Sequence, residues 1–414
     1  MAYIQPLFMW FFTVVFFAYQ FVMRVFPGLC VTEIMQKYQV DATDYGLLAS
    51  MYYYGYAGMQ IPIALLLDRY GPRLIVSLCC LVCSLSIFLF YWTESWSLVL
   101  LSRFLIGAGS AAGFLGASKV IALWFPFRLY GRMVGLTFSF GLLGAIYGGL
   151  PVSRLISQYG WENVLLIIGS VGLLLTLLIA LSLKTYKISF LHEVPSYLHS
   201  MRSLFTMPTV LIMAFCNLLM VGPLEGFADV WGVSYLMRIY DMAKPEASFV
   251  TSAIFTGMLI GGPILAYVSE KLNAVYQMTA LCGILMGVLF AVMFFSNGHL
   301  SYATLYGMMF CVGILCCYQV LVFSIGASIV PAEMRNITVA FLNCVNMLGG
   351  SFFHTLIGVL LDYFWLGETL GTARLYSAHA YTYALGTIPL AAFLGGMVFL
   401  FLRKKDGFEE LKAR

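Results

Sequence analysis

The chain reads as a succession of long apolar runs separated by short polar punctuation. The runs fall near 7–35, 44–67, 74–92, 97–124, 131–156, 162–183, 208–238, 248–269, 273–296, 301–329, 333–362 and 378–402. Crossing the hydrocarbon core of a bilayer takes about 20 helical residues, and each run is close to or beyond that length. The runs are continuous and do not alternate polar with apolar positions, so they predict helices and argue against a barrel. A helix also pairs its own backbone groups, as lipid requires. The pattern predicts an all-α integral membrane protein with twelve transmembrane helices.

The longest polar interruption, 184–207, divides those helices into two sixes. The halves share their punctuation. Asp68-Arg69 follows the second helix and Glu270-Lys271 the eighth, an offset of 202. Pro126 precedes the fifth helix and Pro331 the eleventh, an offset of 205 that also places Gly144 on Gly349. Two pseudo-symmetric six-helix bundles explain this correspondence. The expected organisation is an N-terminal bundle over 1–183, a cytoplasmic linker over 184–207, a C-terminal bundle over 208–402 and a basic cytoplasmic tail over 403–414.

Composition strengthens the membrane reading. Of 414 residues, 62% are hydrophobic and 10% charged, with a mean hydropathy of +0.92, whereas soluble domains carry about 25% charged residues. Little chain is left for an extramembrane enzyme domain. The N-terminal run has no basic leader or small-residue cleavage site and is expected to stay as the first span. The net charge of +4 matters through its placement. With the N-terminus in the cytoplasm, fourteen Lys and Arg residues fall on the cytoplasmic side and five on the far side, while Arg24, Arg103 and Lys119 lie within apolar runs. That asymmetry places both termini inside, in the inner membrane if the source is bacterial. No basic stripe with interleaved aromatics points to nucleic acid. The ten cysteines show no paired loop spacing. Cys80 and Cys83 form a CxxC without a companion pair, so they read as packing residues and no metal or cofactor is expected.

Three motifs together resemble the major facilitator superfamily across nearly the whole chain. The loop between helices two and three matches G-x-x-x-D-R-x-G-R-R with Asp68, Arg69, Gly71 and Arg73, with Ala64 and Pro72 as departures. Helix four carries R-x-x-x-G-x-G as Arg103, Gly107 and Gly109. Pro-containing segments enter helices five and eleven. Within that superfamily, Arg24, Tyr56, Gln60-Ile61-Pro62 and Asp68-Arg69 resemble the anion:cation symporter branch, whose members move sugar acids and other organic anions. The branch's W-x-P-x-Y-L resembles Trp231 to Leu236, with Val233 in place of the proline. Met23 and Ser110 stand where members often carry acidic residues. The resemblance implies two bundles rocking about a central cavity, a gating role for Asp68, Arg69, Gly71 and Arg73, and a structural role for Arg103, Gly107 and Gly109.

The residues themselves point the same way. A guanidinium in an apolar helix is costly unless it faces water or a partner, and its planar fork suits a carboxylate or phosphate. Arg24 is therefore the expected anchor for an anionic substrate, against the plainer reading of a snorkelling arginine. Gln20 shares its helical face, and Tyr52, Tyr56 and Gln60 form a stripe spaced by four. Gln20, Tyr56 and Gln60 are expected to line one wall, with Tyr318, Gln319, Asn343 and Asn346 on the other; the alternative for the aromatic stripe is packing. Glu225 and Asp229 are four apart on helix seven and must face something polar. They are candidates for proton or cation coupling, partners for Arg24 across the cavity, or stabilisers near the outer mouth. His354 is a third coupling candidate or a packing group.

No nucleophile constellation, metal motif or phosphate-cradling loop appears, so an enzyme is not expected. The function expected is secondary active transport of a small polar metabolite, an organic anion, with amino acids or short peptides as the alternative and a transport-dead sensor as a further one. Expected partners are the small-molecule substrate, membrane lipid, and a proton or sodium ion. A monomer is expected.

Overall fold

The structure, a computed structural model, describes residues 4–184, 202–296, 298–331 and 334–412. Its first half contains α1 (Ile4–Val25), a 3₁₀ turn Phe26–Leu29, α2 (Val31–Tyr38), α3 (Ala42–Trp92), α4 (Trp96–Ser110), α5 (Ala112–Trp124), α6 (Phe127–Tyr159) and α7 (Trp161–Ser182). The second half has α8 (Pro208–Met220), a π-wound stretch Pro223–Trp231, α9 (Gly232–Ile239), α10 (Lys244–Lys271), α11 (Val275–Phe295), α12 (Tyr302–Cys316), α13 (Tyr318–Ser328), α14 (Arg335–Tyr363), α15 (Ala378–Leu385) and α16 (Thr387–Lys412). Between α14 and α15 a two-stranded hairpin pairs β1 (Thr369–Leu370) with β2 (Ala373–Arg374), antiparallel.

Eleven helical segments among the described residues are long and apolar enough to cross a membrane. One of them, α3, is 51 residues long, about 77 Å at 1.5 Å per residue and more than two bilayer cores. It breaks at Gly71, where φ is 79° and ψ is 164°. Only glycine takes that backbone geometry without strain, and Pro72 opens the next helix without a missed donor. α3 is thus two spans, and the total is the expected twelve. The loop expected between helices two and three is a sharp corner of a single residue.

Several other runs are interrupted inside the membrane. The first is divided by the turn Phe26–Leu29, with Pro27 inside it. Run 97–124 has a break in regular α-helix at Ala111, run 301–329 at Cys317 and run 378–402 at Gly386. Residues 185–201 of the expected linker lie outside the described residues, as do 413 and 414. The expected tail from residue 403 continues α16 as helix through Lys412.

Backbone-to-backbone crossings repeat in the two halves. A Cβ on Gly107 of α4 would lie 1.9 Å from the Tyr52 carbonyl oxygen of α3, and one on Gly55 would lie 2.1 Å from that of Phe104. In the second half, a Cβ on Gly313 of α12 would lie 2.0 Å from the Ile254 carbonyl oxygen, and one on Gly257 would lie 2.1 Å from that of Phe310. No side chain larger than hydrogen fits such a crossing, the usual device for close helix contact in lipid. Gly109 plays a related part, against Cys79 and Cys83.

With twelve spans, both described ends lie on one side of the membrane, here called the terminal face. On the opposite, far face, α3 packs against α14, α6 against α10, and the turn Phe26–Leu29 against the π-wound stretch. The Arg24, Glu225 and Asp229 candidates lie along this seam.

Candidate functional site

The end of α1 is fixed by Arg103. Its guanidinium donates to the Met23 carbonyl at 2.7 Å and the Arg24 carbonyl at 3.0 Å, satisfying acceptors that a helix terminus leaves open. It also stacks over the Tyr52 ring at 4.9 Å. Both contacts join helices of the first bundle.

Arg24 itself reaches across to the second bundle. Its Nε donates to Asp229 Oδ2 at 2.6 Å and its Nη2 to Glu225 Oε2. The Tyr53 hydroxyl contacts the same two carboxylate oxygens. The group is enclosed, with Arg24 7% exposed, Glu225 0% and Asp229 1%. Glu225 and Asp229 sit in the π-wound stretch Pro223–Trp231, a form that often marks functional positions. The turn beside them approaches closely because Gly28 has no Cβ: one would lie 2.2 Å from the Asp229 carbonyl oxygen. One guanidinium faces two carboxylates, and each carboxylate keeps an oxygen, Glu225 Oε1 and Asp229 Oδ1, without a hydrogen-bond partner.

The remaining predicted residues divide between internal and cross-bundle contacts. Tyr52 donates to Gln20 Oε1 at 2.5 Å and stacks on Tyr56 at 6.1 Å, so the aromatic stripe is partly internal packing. Asn343 donates to Gln60 Oε1 at 3.3 Å and thereby joins the bundles. The Tyr318 hydroxyl is directed to the Asn217 carbonyl at 3.1 Å, within the second bundle. Asn346 and His354 are fully buried, and neither side chain has a hydrogen-bond partner; nor does Gln319 Nε2. The His354 ring lies 5.3 Å from that of Tyr53. In the loop motif, Asp68 pairs with Lys119 at 2.6 Å, Arg73 donates to the Ala180 carbonyl at 2.9 Å, and Arg69 lies over the Tyr70 ring at 5.1 Å. These contacts are all within the first bundle.

A second cluster clasps the far face. The Asp362 carboxylate at the end of α14 accepts from the Thr43 amide at 2.7 Å, the Thr43 hydroxyl at 2.6 Å and the Ala42 amide at 3.4 Å. It thus caps the N-terminus of α3 from the other bundle, where free amides and the helix dipole favour an anion. Tyr376 donates to Asp362 at 2.5 Å and accepts from the Ala42 amide at 3.0 Å. Burial, then the bond to Asp362, holds the Tyr376 phenol above its ordinary range, so it stays a donor at physiological pH. Arg374 of the hairpin binds Asp362 at 2.9 Å and reaches Asp41 at 3.4 Å. Lys244 pairs with Glu33 nearby.

Sequence reasoning passed over Tyr53, Asn217 and this clasp. Tyr53 lies between the stripe positions Tyr52 and Tyr56, so a spacing of four skips it. Asp362 resembles an ordinary helix-end acid, and its partner Thr43 is 319 residues away.

Residues 10–354 match the Major Facilitator Superfamily. The chain belongs to that superfamily. It is a multi-pass integral membrane protein, and its first-half motifs are consistent with the anion:cation symporter branch. Among its curated relatives, the uncharacterized transporter YybO of Bacillus subtilis is 32% identical over 37% of this chain and 35% of its own length. The probable sulfoacetate transporter SauU of Cupriavidus necator is 28% identical over 39% and 37%. The probable galactarate/D-glucarate transporter GarP of Escherichia coli is 28% identical over 36% and 34%. The chain thus spans about a third of the length of these relatives. Among solved structures, the nucleoside transporter NupG superposes with a TM-score of 0.75 at 14% identity, covering 97% of this chain and 99% of that one. A bacterial homologue of the human lysosomal transporter Spinster gives 0.74 at 16% identity, covering 97% and 96%. These likenesses concern the fold.

Proposed function

We propose that this superfamily member is a secondary active transporter of an organic anion, with Arg24 as the anchor for the substrate's carboxylate. The observation that carries the reading is the buried Arg24 guanidinium, whose two counter-charges both come from the opposing bundle. When the bundles part on the far face, Arg24 loses Glu225 and Asp229 together. A buried, unpaired guanidinium is strongly unfavourable, and a substrate carboxylate matches its fork. The named substrates of SauU and GarP, sulfoacetate and galactarate or D-glucarate, are carboxylates and support the same class.

On this reading the two bundles rock about the seam. Gln20, Tyr56 and Gln60, with Gln319, Asn343 and Asn346, offer neutral hydrogen bonds to the rest of the substrate, and Tyr318 positions Asn217. Glu225 and Asp229 couple transport to a cation, because displacing Arg24 leaves their charges to be neutralised; His354 is the remaining coupling candidate. The Asp68, Arg69, Gly71 and Arg73 corner latches the terminal face when the far face opens. The terminal face is cytoplasmic, by its excess of Lys and Arg, and the transporter works as a monomer.

The test is ligand-induced thermal stabilisation of wild type and Arg24→Ala across organic acids, amino acids, dipeptides and neutral sugars. Carboxylates should stabilise the wild type and lose that effect in a folded Arg24→Ala protein. Stabilisation by neutral sugars alone, or an unchanged response in the variant, would sink the anchor role. Uptake of the stabilising acids into liposomes then measures transport directly.

A further inference from the structure

Tyr53 is buried, and its hydroxyl meets the same two oxygens as Arg24, Glu225 Oε2 and Asp229 Oδ2. Both oxygens belong to the second bundle, whereas Tyr53 on α3 and Arg24 on α1 belong to the first. Those two are held as a pair. The Arg24 guanidinium lies over the Tyr53 ring at 5.3 Å. Arg103 ties the end of α1 to α3, donating to the Met23 and Arg24 carbonyls while stacking on Tyr52. The far side of the Tyr53 ring rests on the opposite bundle, where a Cβ on Gly350 would lie 2.7 Å from it. When the far face opens, the two carboxylates and Gly350 depart together, and Tyr53 stays beside Arg24 with a free donor.

Geometry defines what replaces them. Arg24 uses Nε and Nη2, one edge of the guanidinium, and such an edge takes a carboxylate with two parallel hydrogen bonds. Here each nitrogen takes one oxygen from a different acid, and the phenol meets both oxygens. The two together stand in for the paired oxygens of a single carboxylate. We propose that Tyr53 is a specificity-determining residue that binds substrate, its hydroxyl being the third donor to the carboxylate held by Arg24. This deepens the anion reading given above and rests on it. Three converging donors favour a group that only accepts. A carboxamide sets its own N–H groups against one of them and leaves buried donors unmatched, so acids are separated from their amides by more than charge. A phenol that merely tied the bundles together would act in the closed state alone.

The two roles differ in a measurable product, because the intrinsic Kd of the open state is the apparent Kd multiplied by the open fraction. Tyr53→Phe keeps the ring and removes the hydroxyl, so it loosens the closed seam in either role. Alkylation of Cys30, fully buried at the seam, reads the change in open fraction on purified full-length protein. The probe is D-glucarate, or the panel acid that most stabilises the wild type where D-glucarate gives no shift. A tie alone leaves the product unchanged, with apparent binding tightened in step with opening. Loss of a substrate contact raises the product about 10- to 100-fold, the effect of removing one hydrogen bond to a charged group. A rise of less than threefold would overturn the proposal. The wild type gives a readout that depends on no variant folding: acylation of Tyr53 by N-acetylimidazole, divided by the Cys30 rate, should fall as the acid saturates, and a constant ratio would also overturn it. Binding that Arg24→Ala abolishes, with an unmoved product in Tyr53→Phe, defeats this role and spares Arg24; a wild type that binds none of the panel acids defeats the anion reading itself.

Discussion

The Asp362 clasp makes a quantitative prediction about how often the far face opens. Asp362→Ala removes three acceptances that join α14 to the start of α3, two of them at 2.7 and 2.6 Å and the third at 3.4 Å. A hydrogen bond to a charged group contributes about 1.5–3 kcal/mol. The three share one carboxylate whose side chain is 13% exposed, so their sum is discounted to about 2–4 kcal/mol. At about 1.4 kcal/mol per factor of ten, the open population should rise between about 30-fold and nearly 1,000-fold. The natural Cys30 provides the readout. It is 0% exposed and caps α2 within the seam. Burial keeps the reagent from its thiol. The thiolate is the reactive form, so alkylation at neutral pH requires the seam to open. The rate with a water-soluble maleimide in detergent, followed on the Cys30 peptide by mass spectrometry, should rise with the open population, and a small soluble thiol added to the same reaction reports reagent activity. Thr43→Val, which keeps the backbone donor, should raise the rate only about fivefold, for roughly 1 kcal/mol. A Cys30 rate in folded Asp362→Ala within twofold of wild type would refute the reasoning.

Other substitutions test the scaffold and the proposed gate. Arg103→Ala should cost about 2–4 kcal/mol through the two carbonyls left unmet, read as a fall in melting temperature; Arg103→Lys should not restore it fully, because one ammonium replaces a fork that spans both carbonyls. Gly107→Ala places a methyl group against the Tyr52 carbonyl and should lower the yield of monodisperse protein, with a cost of about 3 kcal/mol or more. Gly131→Ala, where nothing lies within 4 Å, should be tolerated, and equal losses in the two would defeat the crossing argument. Asp68→Asn removes a largely exposed pair that contributes about 0–1 kcal/mol, so stability should hardly change. If Asp68 serves as a gate, liposome uptake should nevertheless slow; unchanged uptake would remove it from that role.

What the sequence made legible follows from what hydropathy measures. Continuous apolar runs report removal from water, so the twelve spans and the twofold repeat were readable, and Arg24 stood out because lipid makes an unpaired guanidinium costly. Interruptions within spans were much less so. The run through Glu225 and Asp229 looks like a regular helix, and its π winding emerges beside packing contacts such as Gly226 against Phe353. The clasp was illegible for another reason: Asp362, Thr43 and Tyr376 are common polar residues at helix ends, and their meaning lies in a meeting between distant parts of the chain. Asn217 shows the same limit, since its amide reaches the Leu342 carbonyl at 3.3 Å on a helix of another run.

The glycine crossings carry a consequence for how such a protein can diversify. At Gly55, Gly107, Gly257 and Gly313 the helices meet through main-chain atoms, so the angle and spacing of these pairs do not depend on which side chains line the cavity. On the transport reading proposed above, cargo preference can therefore drift by exchange of polar seam residues while the helix pairs keep their geometry. Architecture and selectivity are separately inheritable, with a few glycines guarding the first and the polar wall free to explore the second.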